Sequence, residues 1–215
     1  MSEKLTASSW DLVPHTAAKL NILSEYLKAW FPIVGQSQRF DRVIYIDGFA
    51  GPGRYKQGED GSPIIALKAA IGAINEQIRK PFEFHFVEES GVSRPHRWPI
   101  SRIHRDKSFQ DAYEQRVRAR LQVSPNAATF ALVDPFGWTG IPMSVLSDLM
   151  KRRSTEIFVN FMFEEINRFI NHPEQGHNFD GLFGCDEWRQ AASRAGLYQD
   201  SLIRTDGPNC EGRWT

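Results

Sequence analysis

The sequence predicts an α/β fold, a three-layer αβα sandwich on a parallel sheet, and three observations carry that expectation. Residues 43–46, Val-Ile-Tyr-Ile, form a short continuous apolar run, the composition of a strand buried on both faces. The run ends in Asp47 and breaks into Gly48-Phe49-Ala50-Gly51-Pro52-Gly53, and from Gly61-Ser62-Pro63 the apolar period becomes helical. Two further apolar runs, 82–87 and 128–133, also end in acids, Glu88 and Asp134.

A chain of 215 residues, 41% hydrophobic and 12% aromatic, is globular and long enough for one domain with a substantial core. Lys plus Arg equals Asp plus Glu at 26 each, so no global field drives nonspecific nucleic-acid binding, and partners must be argued from local sequence. Cys185 and Cys210 are too few and too far from clustered His or Cys for a zinc site. With no signal-like apolar segment at the N-terminus and no run of membrane-spanning length, the expected setting is cytoplasmic, with no membrane partner. The expected organisation is an N-terminal amphipathic helix region (1–41), a core (42–170) and a helical or irregular C-terminal segment (171–215).

Residues 15–30 place Ala18, Ile22, Leu23, Tyr26, Leu27 and Trp30 at helical spacing. His15 and Lys19 lie one turn apart, able to meet a carboxylate or phosphate together, or simply a solvated helix face. The glycine turn after Asp47 is not the dinucleotide fingerprint, because no third glycine follows Gly53 at the required spacing and the acid precedes the turn. A nucleotide cradle and a plain tight turn both fit it.

The spacing of Ile64, Leu67, Ile71, Ile74 and Ile78 predicts a helix over 61–79, and 82–87 a second strand. Glu88, just past that strand, is placed to accept both hydroxyls of a ribose, or to be a solvated loop acid. Residues 90–99 hold two prolines and no helical period, so the helix expected there is shortened or absent. Arg94, His96, Arg97, Arg102, His104, Arg105 and Lys107, with Trp98 interleaved, make this region locally basic, a composition suited to phosphate contact and base stacking, or to a solvated loop. A short strand is expected at 100–104 and a helix at 109–121 with Arg116, Arg118 and Arg120 outward.

The strand 128–133 runs into Asp134-Pro135-Phe136-Gly137-Trp138. An acid at a strand end, followed by proline and aromatics, can accept a hydrogen bond from a planar amine while a ring stacks on it; an Asp capping a turn is the competing reading. A helix over 142–150, a strand over 156–163 and helical pieces at 166–170 and 186–195 complete the expectation. Right-handed crossovers then order the strands 100–104, 82–87, 43–47, 128–134 and 156–163 across the sheet.

Together, His15-Thr16 with Lys19-Leu20, Asp47-Gly48-Phe49-Ala50-Gly51-Pro52-Gly53, Gly61-Ser62-Pro63, Phe86-Val87-Glu88 and Asp134-Pro135-Phe136-Gly137 resemble the three-Cys-motif partner protein family, over nearly the whole chain from Trp10. That family in turn resembles class I S-adenosylmethionine-dependent methyltransferases, particularly the adenine-N6 enzymes of large-subunit ribosomal RNA. They share a helix with His and Lys, the Gly-Ser-Pro turn and an Asp-Pro-Pro-Tyr signature.

The resemblance implies a Rossmann-like methyltransferase sheet lacking its last strands, with S-adenosyl-L-methionine as cofactor. It implies that Asp47, Phe49, Ala50, Gly51 and Gly53 cradle the methionine part, that Glu88 holds the ribose, and that Asp106, Ser108 and Phe109 lie near the adenine. His15, Lys19 and Ser62 would close over the same pocket. Asp134, with Pro135 and Phe136, would hold the target amine, an exocyclic amine such as adenine N6 in RNA or DNA. Phe136 and Gly137 replace the signature's second proline and tyrosine, leaving Phe136 or Trp138 to supply the stacking ring. No sixth and seventh strands are found before Thr215, and the shortened 90–99 stretch would widen the adenine side. The alternative is a noncatalytic partner of a cysteine-rich, three-Cys-motif protein that keeps the methyltransferase fold.

Overall fold

A computed structural model describes residues 11–51, 53–76, 78–89, 101–105 and 107–195. The chain divides into two compact units: Met1–Leu132 with Ser154–Phe158, and Val133–Arg153 with Val159–Thr215.

The first unit is built on a sheet ordered β3-β2-β1-β4-β5, from β1 (Arg42–Asp47), β2 (Phe82–Glu88), β3 (Ser101–Arg105), β4 (Ala127–Val133) and β5 (Thr155–Val159). β1 is central and pairs in parallel with β2 and β4, as β2 does with β3. The order and the central place of residues 43–47 are those expected from the sequence. Continuous apolar runs work here because Val43, Ile44, Tyr45 and Ile46 are each fully buried, one face of the strand looking at each helical layer.

On one face, α1 (Pro14–Gln36) and α2 (Ser62–Asn75) cover Val43, Tyr45, Phe84, Phe86, Ala128 and Phe130. Tyr45 stacks on Phe130 at 5.8 Å, and Phe31 meets Tyr45, Phe82 and Phe84 within 6.5 Å. Each such fully buried side chain contributes roughly 1.5–3 kcal/mol of transfer free energy. The carboxylate of Glu156 accepts from the Tyr26 hydroxyl and, at 2.7 Å, from the Trp30 indole, tying α1 to the start of β5. Hydrogen bonding to Glu156, then burial and its charge, push the Tyr26 phenol up to about 12. On the other face run α3 (Phe109–Ala112), a π-helical turn (Tyr113–Val117) and α4 (Arg118–Gln122), with Phe109, Ala112, Tyr113, Val117 and Leu121 buried.

Several boundaries differ from the sequence reading. α1 does not stop at Trp30 but continues to Gln36 through Pro32, because burial of Phe31, Val34 and Gly35 outweighs the one backbone bond that proline forfeits. α2 ends at Asn75, four residues early, and Ile78 instead closes on Gly35, where an added Cβ would lie 2.8 Å from the Ile78 side chain. β5 ends at Val159 rather than at 163, since Phe163 already begins a helix.

The second unit holds α5 (Met143–Met150), α6 (Phe163–Phe169), α7 (Gly176–Phe183) and α8 (Trp188–Ala195). Its core is aromatic: Trp138 stacks on Phe179 at 4.3 Å, and Phe179 meets Trp188 at 4.9 Å. Asp180 accepts from the Trp188 indole at 2.8 Å and from Arg189 at 2.6 and 3.0 Å, and the Arg189 bonds hold its carboxyl below the usual range. Among the described residues no helix is long and apolar enough to cross a membrane.

Candidate functional site

The turn after β1 is shaped by the acid that ends the strand. Asp47 is fully buried; its Oδ2 accepts from the Ser62 hydroxyl at 2.6 Å and its Oδ1 from the Phe49 amide at 3.2 Å. Backbone bonds fix both neighbouring strands to the same turn: the Gly48 amide donates to Leu132 at 2.9 Å and the Ala50 amide to Val87 at 2.8 Å. Asp47 thus joins the end of the central strand to the start of α2, while Ser62, 9% exposed, sits in that helix's first turn.

Gly51 and Gly53 have φ of 60° and 77°, the left-handed region that glycine enters without a steric penalty. A Cβ at Gly53 would meet nothing within 4 Å, so the space beside this turn is open, as a cradle for a ligand requires. Beyond it, Arg54 and Asp60 bridge in antiparallel fashion, and the Gly61 amide closes the loop on the Gly53 carbonyl at 2.7 Å. A Cβ at Gly61 would stand 3.0 Å from that carbonyl oxygen and 3.2 Å from Gly53 Cα. Because the obstacle is backbone, Gly61→Ala should cost about 1–3 kcal/mol and lower the melting temperature by several degrees. A thermal melt indistinguishable from wild type would mean that the loop closure is looser than its geometry.

The remaining expected residues fall on several elements around this turn and on the second unit. Glu88 is the half-buried last residue of β2, its backbone in register with Arg105. His15 is exposed and Lys19 half-buried, both near the start of α1. Phe49 is half-buried with its ring 5.8 Å from that of Phe109, and Ala50 is buried. Ser108 is the N-cap of α3, accepting from the Asp111 amide at 3.1 Å. Phe109 is buried beneath the turn, where a Cβ on Gly48 would lie 3.0 Å from its ring. These two positions therefore carry scaffold contacts that explain their residue types. Asp106 and the 90–99 stretch lie outside the described residues.

In the second unit, Asp134 is half-buried directly after β4, Pro135 is buried, and Phe136 is 91% exposed. Gly137 takes φ of 97°. Trp138 is 6% exposed and stacks on Phe179, whereas Phe136 presents its ring at the surface. No protein-family model and no curated protein matches the sequence.

Proposed function

We propose that the chain is an S-adenosylmethionine-dependent methyltransferase acting on an exocyclic amine, with adenine N6 in RNA or DNA as the substrate class. The observation that carries this reading is the central parallel strand ending in a buried Asp47 whose bonds to Ser62 and Phe49 form an open, positive-φ glycine turn, with Glu88 ending the neighbouring strand. Ligand crevices of open α/β sheets lie at such strand ends, beside the point where strand order reverses. Here β1 is flanked by β2 on one side and β4 on the other, so the reversal falls beside it.

In this reading the backbone of Gly51 and Gly53 lies along the amino-acid part of the cofactor, and Glu88 accepts both ribose hydroxyls. The cofactor supplies an electrophilic methyl group on sulfonium. The chain's own residues bind and orient: Asp134 accepts an N–H of the target amine and Phe136, projecting into solvent, stacks on the base that carries it. The departure of Phe136-Gly137 from the expected Pro-Tyr favours one alternative, a noncatalytic partner of a three-Cys-motif protein that retains the fold and the pocket.

Calorimetric titration with S-adenosylmethionine tests the pocket, and methyl transfer from labelled cofactor to cellular RNA or DNA then separates enzyme from partner. Glu88→Ala should weaken cofactor binding by roughly 1.5–3 kcal/mol, about tenfold to a hundredfold, through lost charge-assisted hydrogen bonds. Affinity equal to wild type in that variant would move the ribose site elsewhere.

A further inference from the structure

Two chain segments leave the sheet side by side where Asp134 stands. The Asn160 amide donates to the Val133 carbonyl at 2.9 Å, so β4 and β5 end level with each other. Further along, an added Cβ on Gly137 would lie 3.7 Å from Glu165 Oε2, so the first turn of α6 lies against the far end of the Asp134–Gly137 turn. These two ties bracket residues 134–136 on one segment and 161–164 on the other, all within the second unit.

Local backbone chemistry sets Phe161 outward. The Phe163 amide donates to the Phe161 carbonyl at 2.9 Å and Met162 has φ of −80° and ψ of 67°, an inverse γ-turn that ends the extended segment and opens α6. Phe161, at the corner before this turn, is 48% exposed. Trp138, Phe169, Phe179, Phe183 and Trp188 of the same unit stack on one another, and Phe161 takes no part in that stack. A lone exposed ring is ordinary on a protein surface, but this one stands on the segment alongside Phe136, the most exposed of the chain's large apolar side chains among the described residues.

The polar groups at the same place suit a base rather than a phosphate. Asp134, Glu164 and Glu165 bring negative charge, which repels phosphate and accepts N–H. Asn160 is half-buried, and its Nδ2 donates to the Met162 sulfur at 3.2 Å. Sulfur is a weak acceptor, and one donor is used, so the carboxamide keeps a second N–H and its oxygen for a planar partner.

Resting on the reading of Asp134 as the residue that holds the target amine, we propose that Phe161 and Asn160 form the second wall of the acceptor site and set its preference for adenine. The Phe161 ring supplies a stacking surface beside Phe136, and Asn160 pairs with the base edge that carries the amine, donating to the ring nitrogen next to it. Uracil presents the inverse pattern, a carbonyl oxygen and a ring N–H, and would set that oxygen against the carboxylates. Both residues act by binding and orienting, and neither makes or breaks a bond.

The test is binding of single-stranded oligoadenylate and oligouridylate to wild type, Phe161→Leu, Phe161→Tyr and Asn160→Ala, with S-adenosylmethionine titration, thermal melting and methyl transfer on the same proteins. Wild type should prefer oligoadenylate. Phe161→Leu, which keeps apolar volume without the ring, should bind it about tenfold or more weakly, through lost stacking, with melting and cofactor affinity unchanged. Phe161→Tyr restores a ring and should recover the binding, and Asn160→Ala should narrow the preference for adenylate over uridylate. Wild type that does not bind oligoadenylate, equal affinity in Phe161→Leu, or an equal loss in Phe161→Tyr would each overturn the proposal. Methyl transfer by wild type with the same KM and kcat in all three variants would overturn this wall alone, whereas ring-dependent oligoadenylate binding without uptake of S-adenosylmethionine would uphold it and sink the methyltransferase reading.

Discussion

Asp134→Ala is expected to melt close to wild type and to bind S-adenosylmethionine as wild type does, while methyl transfer falls by about a thousandfold or more. The stability side follows from position: Asp134 comes after β4, it is half-buried rather than enclosed, and the backbone of β4 is held by its own ladder to β1. Removing a partly solvated carboxylate costs less than removing an enclosed one, because water screens and solvates its surroundings. The rate side follows from what the residue would do: holding an amine by its N–H both orients the nucleophile and supplies an acceptor, effects worth about 10²–10⁴-fold for the acceptor alone. The measurement is melting temperature, cofactor affinity and methyl transfer side by side, on a nucleic acid that wild type modifies. Transfer at the wild-type rate would sink the amine-holding role, whereas a variant that does not fold would identify Asp134 as a structural turn cap.

The fold was legible where burial is two-sided. β1 and β4 are buried on both faces, so their sequences are mostly apolar, with Thr129 the one polar residue inside β4, and chain order with right-handed crossovers then sets the sheet order. Boundaries were legible only where local chemistry decides them. Pro32 reads as a helix stop until Phe31 and Val34 are seen to be buried, and Phe161-Met162-Phe163 resume an apolar run past Asn160 although the strand has ended. α7 escaped notice because Gly-His-Asn-Phe-Asp-Gly-Leu-Phe has little helical period; Phe179 holds it through Trp138, 41 positions earlier, and Trp188, nine later.

For the candidate site, sequence gave residue types but not their partners. Asp47, Gly51, Gly53 and Glu88 stood out because an acid at a strand end and clustered glycines have few uses. That Ser108 caps a helix and Phe109 fills the space under Gly48 required the fold. Outside the candidate site, His85 was equally hidden: inside β2 it reads as an interior residue, and the His104 ring 3.1 Å from it lies 19 residues on, in β3.

Asp47→Ala should be the most damaging single change to the first unit, lowering stability by about 2–4 kcal/mol and the melting temperature by roughly 5–15 °C. The carboxylate has no exposure and links β1 to α2 through Ser62, so its loss strands a buried hydroxyl and the Phe49 amide and leaves the glycine turn without its anchor. One effect opposes this: burial, and next the charge of Asp47, push the fully buried Tyr45 phenol well above its ordinary value, so removing the acid relieves some strain on that neighbour. A neutral phenol feels a nearby charge only weakly at pH 7, so the lost hydrogen bonds win. Asp47→Asn separates the contributions, since its amide oxygen still accepts from Phe49 N–H while its NH₂ can donate to Ser62 Oγ in reverse. The asparagine variant should therefore recover more than half of the lost stability. Thermal and urea denaturation of both variants decide the matter: an Asp47→Ala protein melting within about 2 °C of wild type would show that the turn is held by its backbone bonds alone.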